Sequence, residues 1–135
     1  MKISILLGRG IEGCGVTRYA LESKKCHESQ GHTVHIHAAT DKTWGRKKAQ
    51  AGEFIEFKND EIPELALKIN EEYDLVYYQS LPSLSHSEEY QDLFLVHLVM
   101  KVKNPIKIIS QHDHKNRSIL RNSNIFEISK QMDAA

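Results

Sequence analysis

Short apolar runs alternate with longer amphipathic stretches along the 135-residue chain. The short runs are rich in Ile, Val, Leu and aromatic residues, which predicts buried strands, whereas the longer stretches repeat apolar residues at helical spacing. In the second of these stretches, Ile62, Leu65, Ala66 and Ile69 fall on one face and should form its buried stripe. The pattern predicts strands over 3–7, 33–38, 54–57, 75–78 and 106–110, and helices over 16–30, 61–72, 88–103, 116–121 and 125–132.

This alternation predicts an α/β, Rossmann-like domain with a mainly parallel sheet flanked by helices. Parallel strands need crossover connections and are buried on both faces, which the order of elements satisfies. Ligands of such sheets bind beyond the carboxyl ends of the strands. The loops that follow strands 3–7, 75–78 and 106–110 should therefore line one rim.

The strand over 33–38 alternates between two kinds of face. Val34, Ile36 and Ala38 share one face, and His35 and His37 share the other. We expect the apolar face to be the buried one and the histidine face to lie under a helix or in water. Two histidines at this spacing also suit a metal ion, but no third ligand is spaced to complete such a site.

Composition limits the remaining possibilities. Eighteen basic residues balance 18 acidic ones, so a nucleic-acid partner has to be argued from local clusters. The two cysteines, Cys14 and Cys26, are expected to be reduced thiols, as in a cytosolic protein. No apolar stretch has the length of a membrane span or of a signal-peptide core. We therefore expect a soluble cytoplasmic protein without a membrane partner.

The segment 8–17 predicts an anion site. Glycines at positions 8, 10, 13 and 15 let the backbone approach a ligand closely, and the helix that follows offers unpaired N–H groups and a positive dipole end. The spacing of Gly8, Gly10 and Gly13 also matches a dinucleotide-binding fingerprint, although the acidic residue it needs, Asp41, comes late. A glycine-rich turn that only permits tight packing is a third interpretation.

The strand over 106–110 ends in a polar run, 111–114. His112 and Asp113 lie where a side chain can reach over the rim, and we predict them as the catalytic pair. His112 and His114 also have the spacing of two metal ligands, again without a third, and we predict no metal site. A loop network that satisfies backbone groups is the structural alternative.

Basic residues cluster in two segments, 42–48 and 101–121, and the second contains one acid, Asp113. Such clusters are typical of phosphate-binding surfaces, although a solvated surface would have the same composition. Trp44 lies between basic residues and is suited to stack against an extruded base, or to anchor its own loop. The predicted DNA-binding residues are Lys42, Trp44, Arg46, Lys47, Lys48, Lys115, Arg117 and Arg121.

The segments 9–17, 31–34 and 111–114, with Arg117 and Arg121, together resemble the amino-terminal domain of the T-even phage DNA α-glucosyltransferases. The resemblance implies the two-domain GT-B architecture and a retaining transfer of glucose from UDP-glucose to 5-hydroxymethylcytosine in double-stranded phage DNA. It also implies a location in the host cytoplasm and no cofactor besides the donor substrate.

The resemblance also implies roles for the predicted site residues. The backbone of Gly13, Cys14 and Gly15 would lie near the donor's diphosphate or sugar. His112 or Asp113 would position the acceptor hydroxymethyl group or stabilise the oxocarbenium-like centre.

We expect residues 1–135 to form a single acceptor-side domain without the carboxy-terminal donor domain of the family, so that the chain alone is inactive. The alternative is a non-catalytic module that binds DNA or a protein partner on the same fold. Self-association of the domain is a further expectation, because a missing companion domain would leave apolar surface uncovered.

Overall fold

The computed structural model describes residues 1–8, 15–39, 54–80, 88–109 and 130–133. The strands within these ranges are β1 (Lys2–Leu7), β2 (Thr33–Ala39), β3 (Phe54–Phe57), β4 (Leu75–Ser80) and β5 (Ile106–Ile109). The helices are α1 (Gly15–Ser29), α2 (Ile62–Glu72) and α3 (Glu88–Leu93), with a 3₁₀ turn at Asn59–Glu61 and a π-helix at Phe94–Met100. The part of the chain described here contains no helix that is both long enough and apolar enough to cross a membrane.

The strands form one parallel sheet in the order β3-β2-β1-β4-β5. Each strand predicted from the sequence is present, and helices connect β1 to β2 and β3 to β4, as crossovers between parallel strands require. The predicted α/β, Rossmann-like fold is therefore confirmed. The stripe predicted for α2 is also confirmed, since Ile62, Leu65, Ala66 and Ile69 are all buried.

The core has one layer on each side of the sheet. One layer joins α1 to apolar residues of β1 and β2, and the other joins α2, α3 and the π-helix to the opposite face. Both faces of β2 are buried, because His37, on the face expected to lie under a helix or in water, is fully buried beside residues of α2. The reason is that β2 lies inside the sheet, between β1 and β3, so that both of its faces are covered.

The helix predicted over 88–103 differs from the observed one in two ways. Its second half is a π-helix, whose wider turn directs Phe94, Leu98 and Val99 into the core together. The helical structure also ends at Met100 rather than at residue 103. The side-chain oxygen of Asn70 accepts hydrogen bonds from the backbone N–H groups of Lys103 and Asn104, at 2.9 and 2.8 Å, and this holds the chain in a turn before β5.

Residues 130–133 return to the outer side of β5. The Asp133 backbone N–H donates to the Lys107 carbonyl at 2.8 Å, and the Lys107 backbone N–H donates to Asp133 Oδ2 at 2.7 Å. The Lys107 ammonium lies 3.6 Å from the same carboxylate oxygen. Met132 packs against the core beside this contact. The four residues are thus tied to the edge of the sheet.

Gly31 ends α1 as predicted, with φ of 91° in the left-handed region. Gly31→Ala should lower stability by about 1 kcal/mol, because a side chain makes this backbone conformation unfavourable. Thermal unfolding measures the change. The matched control is Gly15→Ala, since Gly15 has no such φ and an added Cβ would meet nothing within 4 Å at either glycine. Equal effects of the two substitutions would contradict the prediction.

Candidate functional site

The carboxyl ends of β1, β4 and β5 are neighbours at one edge of the sheet. β2 and β3 lie on one side of β1, and β4 and β5 lie on the other, so the winding direction reverses between β1 and β4. Open α/β sheets bind ligands in the crevice at such a switch point. The three loops predicted to share a rim leave from these adjacent ends, although the loops themselves lie outside the described residues.

A tyrosine from α3 holds the end of β1. Gly8 follows β1 directly, and the Tyr90 hydroxyl donates a hydrogen bond to its carbonyl oxygen at 3.0 Å. Tyr90 is fully buried and packs on Phe94, with 6.1 Å between ring centroids. The start of the glycine segment, residues 8–17, is therefore held by a residue of the core layer on the opposite side of the sheet from α1. The contact of Tyr90 with Gly8 could not be predicted from the sequence, because an aromatic residue in a predicted helix indicates only a core position.

Tyr90→Phe should lower stability by about 1 kcal/mol, because it removes a buried hydrogen bond while keeping the ring. Urea unfolding measures this loss. Tyr77→Phe is the control, since no hydrogen bond of the Tyr77 hydroxyl is found within the described part of the chain. A Tyr90→Phe protein as stable as the control would show that the contact with Gly8 contributes little.

A bulge lies at the end of β4. Leu6 pairs with Tyr78 and Leu7 pairs with Ser80, so Gln79 is the extra residue between them. Bulges of this kind are common next to functional sites, where they redirect a side chain. Gln79 is fully buried, its Nε2 donates to Ser23 Oγ of α1 at 3.4 Å, and its Oε1 has no hydrogen-bond partner in the described ranges. Gln79 thus joins β4 to α1 beside the switch point.

The first turn of α1 is suited to an anion. Gly15, the one predicted donor-binding residue that the structure describes, is the first residue of the helix and is exposed. The first turn contains no acidic side chain, and Arg18 at its end is exposed. The N–H groups at the start of a helix and the helix dipole favour negative charge at this position.

The other predicted site residues lie outside the described residues, and their predictions stay open. These are the donor-binding Gly13 and Cys14, the catalytic His112 and Asp113, and the DNA-binding Lys42, Trp44, Arg46, Lys47, Lys48, Lys115, Arg117 and Arg121.

The two histidines of β2 each have a side-chain partner. His35 Nδ1 lies 2.7 Å from the Tyr73 hydroxyl, and His37 Nδ1 lies 2.7 Å from Ser4 Oγ. Burial, together with the charges of His35, Lys68 and Lys2, lowers the pKa of His37 to about 4. Burial, together with the charge of Glu72, raises the pKa of Tyr73 to about 12. Both side chains are therefore neutral at pH 7.

The lowered pKa of His37 predicts a loss of stability in mild acid. Above about pH 6.5 His37 is neutral in both states, but between pH 6.5 and about 4 the unfolded chain binds a proton that the folded chain does not. The loss should reach roughly 3 kcal/mol near pH 4. Urea unfolding across this range measures it.

His37→Phe should remove most of this pH dependence. His35→Gln is the control. This variant should keep most of the pH dependence of stability, since His35 is only partly buried. The prediction fails if His37→Phe has the same pH dependence as the original chain.

The chain is similar in sequence to known proteins. A family model described as DNA alpha-glucosyltransferase matches residues 14–135. The DNA alpha-glucosyltransferase of Enterobacteria phage T4 is 30% identical over 141 aligned residues, which cover 98% of this chain and 34% of that protein.

Two solved structures extend the likeness to three dimensions. An alpha-glucosyltransferase in complex with UDP and a 13-mer DNA containing a HMU base has a TM-score of 0.83 at 29% identity, and the match covers 99% of this chain and 36% of that one. A complex with UDP-glucose and DNA containing an abasic site has a TM-score of 0.79 at 26% identity, with 98% and 34% covered. This chain thus spans about a third of the length of these relatives. The expected fold, a parallel sheet flanked by helices as in the GT-B α-glucosyltransferases, is confirmed.

Proposed function

This chain belongs to the DNA α-glucosyltransferase family, and from that membership we propose that it is the acceptor-side domain of an enzyme that glucosylates DNA. The donor is UDP-glucose and the acceptor is 5-hydroxymethylcytosine in a double-stranded phage genome. The reaction takes place in the cytoplasm of the host. Relatives with the same fold bind UDP or UDP-glucose together with DNA, which supports this assignment.

The observation that carries the proposal is the strand order. It brings the carboxyl ends of β1, β4 and β5 together, so the glycine segment and the segment containing His112 and Asp113 both start at one crevice. A nucleotide sugar and an acceptor base have to meet at a single point for glucose to pass between them. The switch point supplies such a point.

The proposed role of the glycine segment is to stabilise the donor's diphosphate. When the bond between glucose and UDP breaks, negative charge develops on the leaving diphosphate. Backbone N–H groups of Gly13, Cys14 and Gly15, with the positive end of α1, stabilise this charge because they are oriented before the reaction begins.

His112 and Asp113 serve the acceptor. One of them orients the hydroxymethyl oxygen towards the sugar, and a carboxylate close to the anomeric carbon stabilises the oxocarbenium-like centre. A base inside a duplex is out of reach, so it has to be extruded, and Trp44 is suited to stack in its place. The basic residues of 42–48 and 115–121 hold the phosphates on either side.

The chain is proposed as one domain over 1–135, and donor binding is assigned mainly to the part of the family's fold that this chain does not cover. A second candidate on the same fold is a binding module without catalysis. The two candidates differ in ligand preference. An acceptor domain discriminates the hydroxymethylated base, whereas a general DNA-binding module does not.

Isothermal titration calorimetry on the 135-residue chain tests the proposal. We expect salt-sensitive binding of a hydroxymethylated duplex, weaker binding of the unmodified duplex and negligible affinity for UDP-glucose. Donor binding without DNA binding would contradict the domain assignment, and equal binding of both duplexes would favour the module. Sedimentation of the same samples tests the proposed self-association.

Matched variants locate the DNA surface. Arg117→Ala combined with Arg121→Ala should weaken binding of every duplex and reduce the salt slope by about 2. Lys25→Ala is the control, because Lys25 is exposed on α1 and lies outside both basic segments in the sequence.

A further inference from the structure

A cavity of about 170 Å³ lies under the first half of α2, on the β3 side of the sheet. β2 and β3 contribute residues to it from the sheet, and the 3₁₀ turn and α2 contribute residues from above. The cavity is lined by β2 and β3, whereas the crevice lies between β1 and β4, so the two are formed by different pairs of strands. The residues that line the cavity include His37, Phe57, Glu61, Glu64, Leu65 and Lys68.

The cavity contains a buried polar atom without a partner. His37 is fully buried, and its Nδ1 is held by Ser4 of β1, but its Nε2 has no hydrogen-bond partner in the part of the chain described. Ser4 contacts the ring from the β1 side, and the same ring lines the cavity from β2. An unsatisfied buried polar atom destabilises the folded protein, so a ligand that bonds to Nε2 recovers part of this cost.

The residues that line the cavity favour a ligand with an apolar part and a positively charged or hydrogen-bond-donating group. Phe57 and Leu65 are buried apolar residues suited to contact a ring. Among the described residues, the carboxylates of Glu56, Glu61 and Glu64 and the ammonium of Lys68 line the cavity, and Glu61 also accepts a hydrogen bond from the Lys58 backbone N–H. Carboxylates accept hydrogen bonds from an amine and repel an acid.

A metal ion does not suit this cavity. In the described ranges, no three His, Cys, Asp or Glu side chains come together as metal ligands. Its size instead suits a small organic molecule, since a protein cavity of about 150 Å³ holds benzene.

We propose that this cavity binds a small organic molecule with one ring and an amino or ammonium group. The ring packs between Phe57 and Leu65, and the amino group donates a hydrogen bond to His37 Nε2. The His37 tautomer is then fixed, with the Nδ1 proton donated to Ser4 Oγ. This site is additional to the proposed function and does not depend on it.

The test uses benzylamine as the probe on the 135-residue chain, with benzoate as a probe of the same size and opposite charge. Long-range ¹H–¹⁵N spectra of the histidine rings and amide spectra of β3 and α2 report binding. Benzylamine should cause saturable shifts at His37 at millimolar concentration, and benzoate should cause none. Absence of saturable benzylamine shifts, or equal binding of benzoate, would overturn the proposal.

Variants connect the shifts to the cavity. His37→Phe should weaken benzylamine binding by about tenfold, and Leu65→Phe, which fills the cavity, should remove it. His35→Phe is the matched control, because His35 lies on the same strand face but does not line the cavity. If His37→Phe fails to fold, Glu64→Gln replaces it, with an expected threefold weakening. Binding that none of these cavity variants changes would show that benzylamine binds elsewhere.

Discussion

Replacing Asp113 with alanine is expected to lower the rate of glucosyl transfer by roughly 10²–10³-fold, as is typical when a group that stabilises charge in a transition state is removed. The assay uses the enzyme in which this domain is joined to a donor-binding domain of the family. Asp113 follows β5, whose carboxyl end lies two strands from that of β1. The expected loss rests on the proposed function.

The chain between β5 and Asp113 is long enough to span the distance from β5 to the crevice. Asp113 comes four residues after Ile109, the last residue of β5. Four extended residues span at most about 14 Å. Two strand spacings amount to only about 10 Å. A carboxylate in this position can therefore meet a sugar held at the glycine segment.

Transfer of labelled glucose to a hydroxymethylated duplex measures the effect. The control is Asp92→Ala, because Asp92 is an exposed carboxylate of α3. A loss in kcat with unchanged DNA affinity would indicate a role in the reaction itself. Full activity of Asp113→Ala would contradict the role proposed for this residue, while leaving the DNA-binding role of the domain open to its own test.

Phe94→Ala should lower the free energy of unfolding by about 3–5 kcal/mol, a large share of the 5–15 kcal/mol typical of a domain. Phe94 is 1% exposed and lies between two buried tyrosines. Its ring centroid is 6.4 Å from that of Tyr78 and 6.1 Å from that of Tyr90. The hydroxyls of these tyrosines bond to Leu98 in the π-helix and to Gly8 after β1. Loss of Phe94 therefore also loosens the start of the glycine segment.

Urea unfolding of the 135-residue chain measures this loss. Val96→Ala is the matched control two positions along the same π-helix, where Val96 is 41% exposed, and it should change stability by less than about 0.5 kcal/mol. Similar losses for the two variants would show that the π-helix does not pack as described.

Most of the fold could be predicted because its strands are short, apolar and separated by helices. Such runs have few alternatives to a buried parallel sheet, and the stripe of α2 follows from spacing alone. The burial of His37 could not be predicted in this way. It depends on which strands are neighbours, and strand order is a property of the whole chain.

Details that depend on tertiary contacts were also missed. Helix propensity does not distinguish an α-helix from a π-helix over 94–100, since the choice depends on packing three side chains into one core. Asn70 holds the turn before β5 by accepting hydrogen bonds from residues more than 30 positions away in the sequence. The contact between Tyr90 and Gly8 is of the same kind.

The candidate site was predicted in outline only. The glycine segment and the polar run after β5 are local patterns, and the adjacency of their strands follows from parallel pairing. The sequence did not indicate Gln79 as a buried bulge residue, because a bulge arises from a mismatch in register between two strands. The roles of His112 and Asp113 stay predictions that the proposed experiments test.

The contact between Asp133 and Lys107 has a consequence for the behaviour of the protein in solution. β5 is an edge strand, and the unpaired N–H and C=O groups of an edge strand are a template on which a second chain can add and start aggregation. Both backbone groups of Lys107, near the middle of β5, are already bonded to Asp133. A foreign strand would have to displace Asp133 before it could pair along this edge, so a short return of the chain protects the sheet from uncontrolled growth.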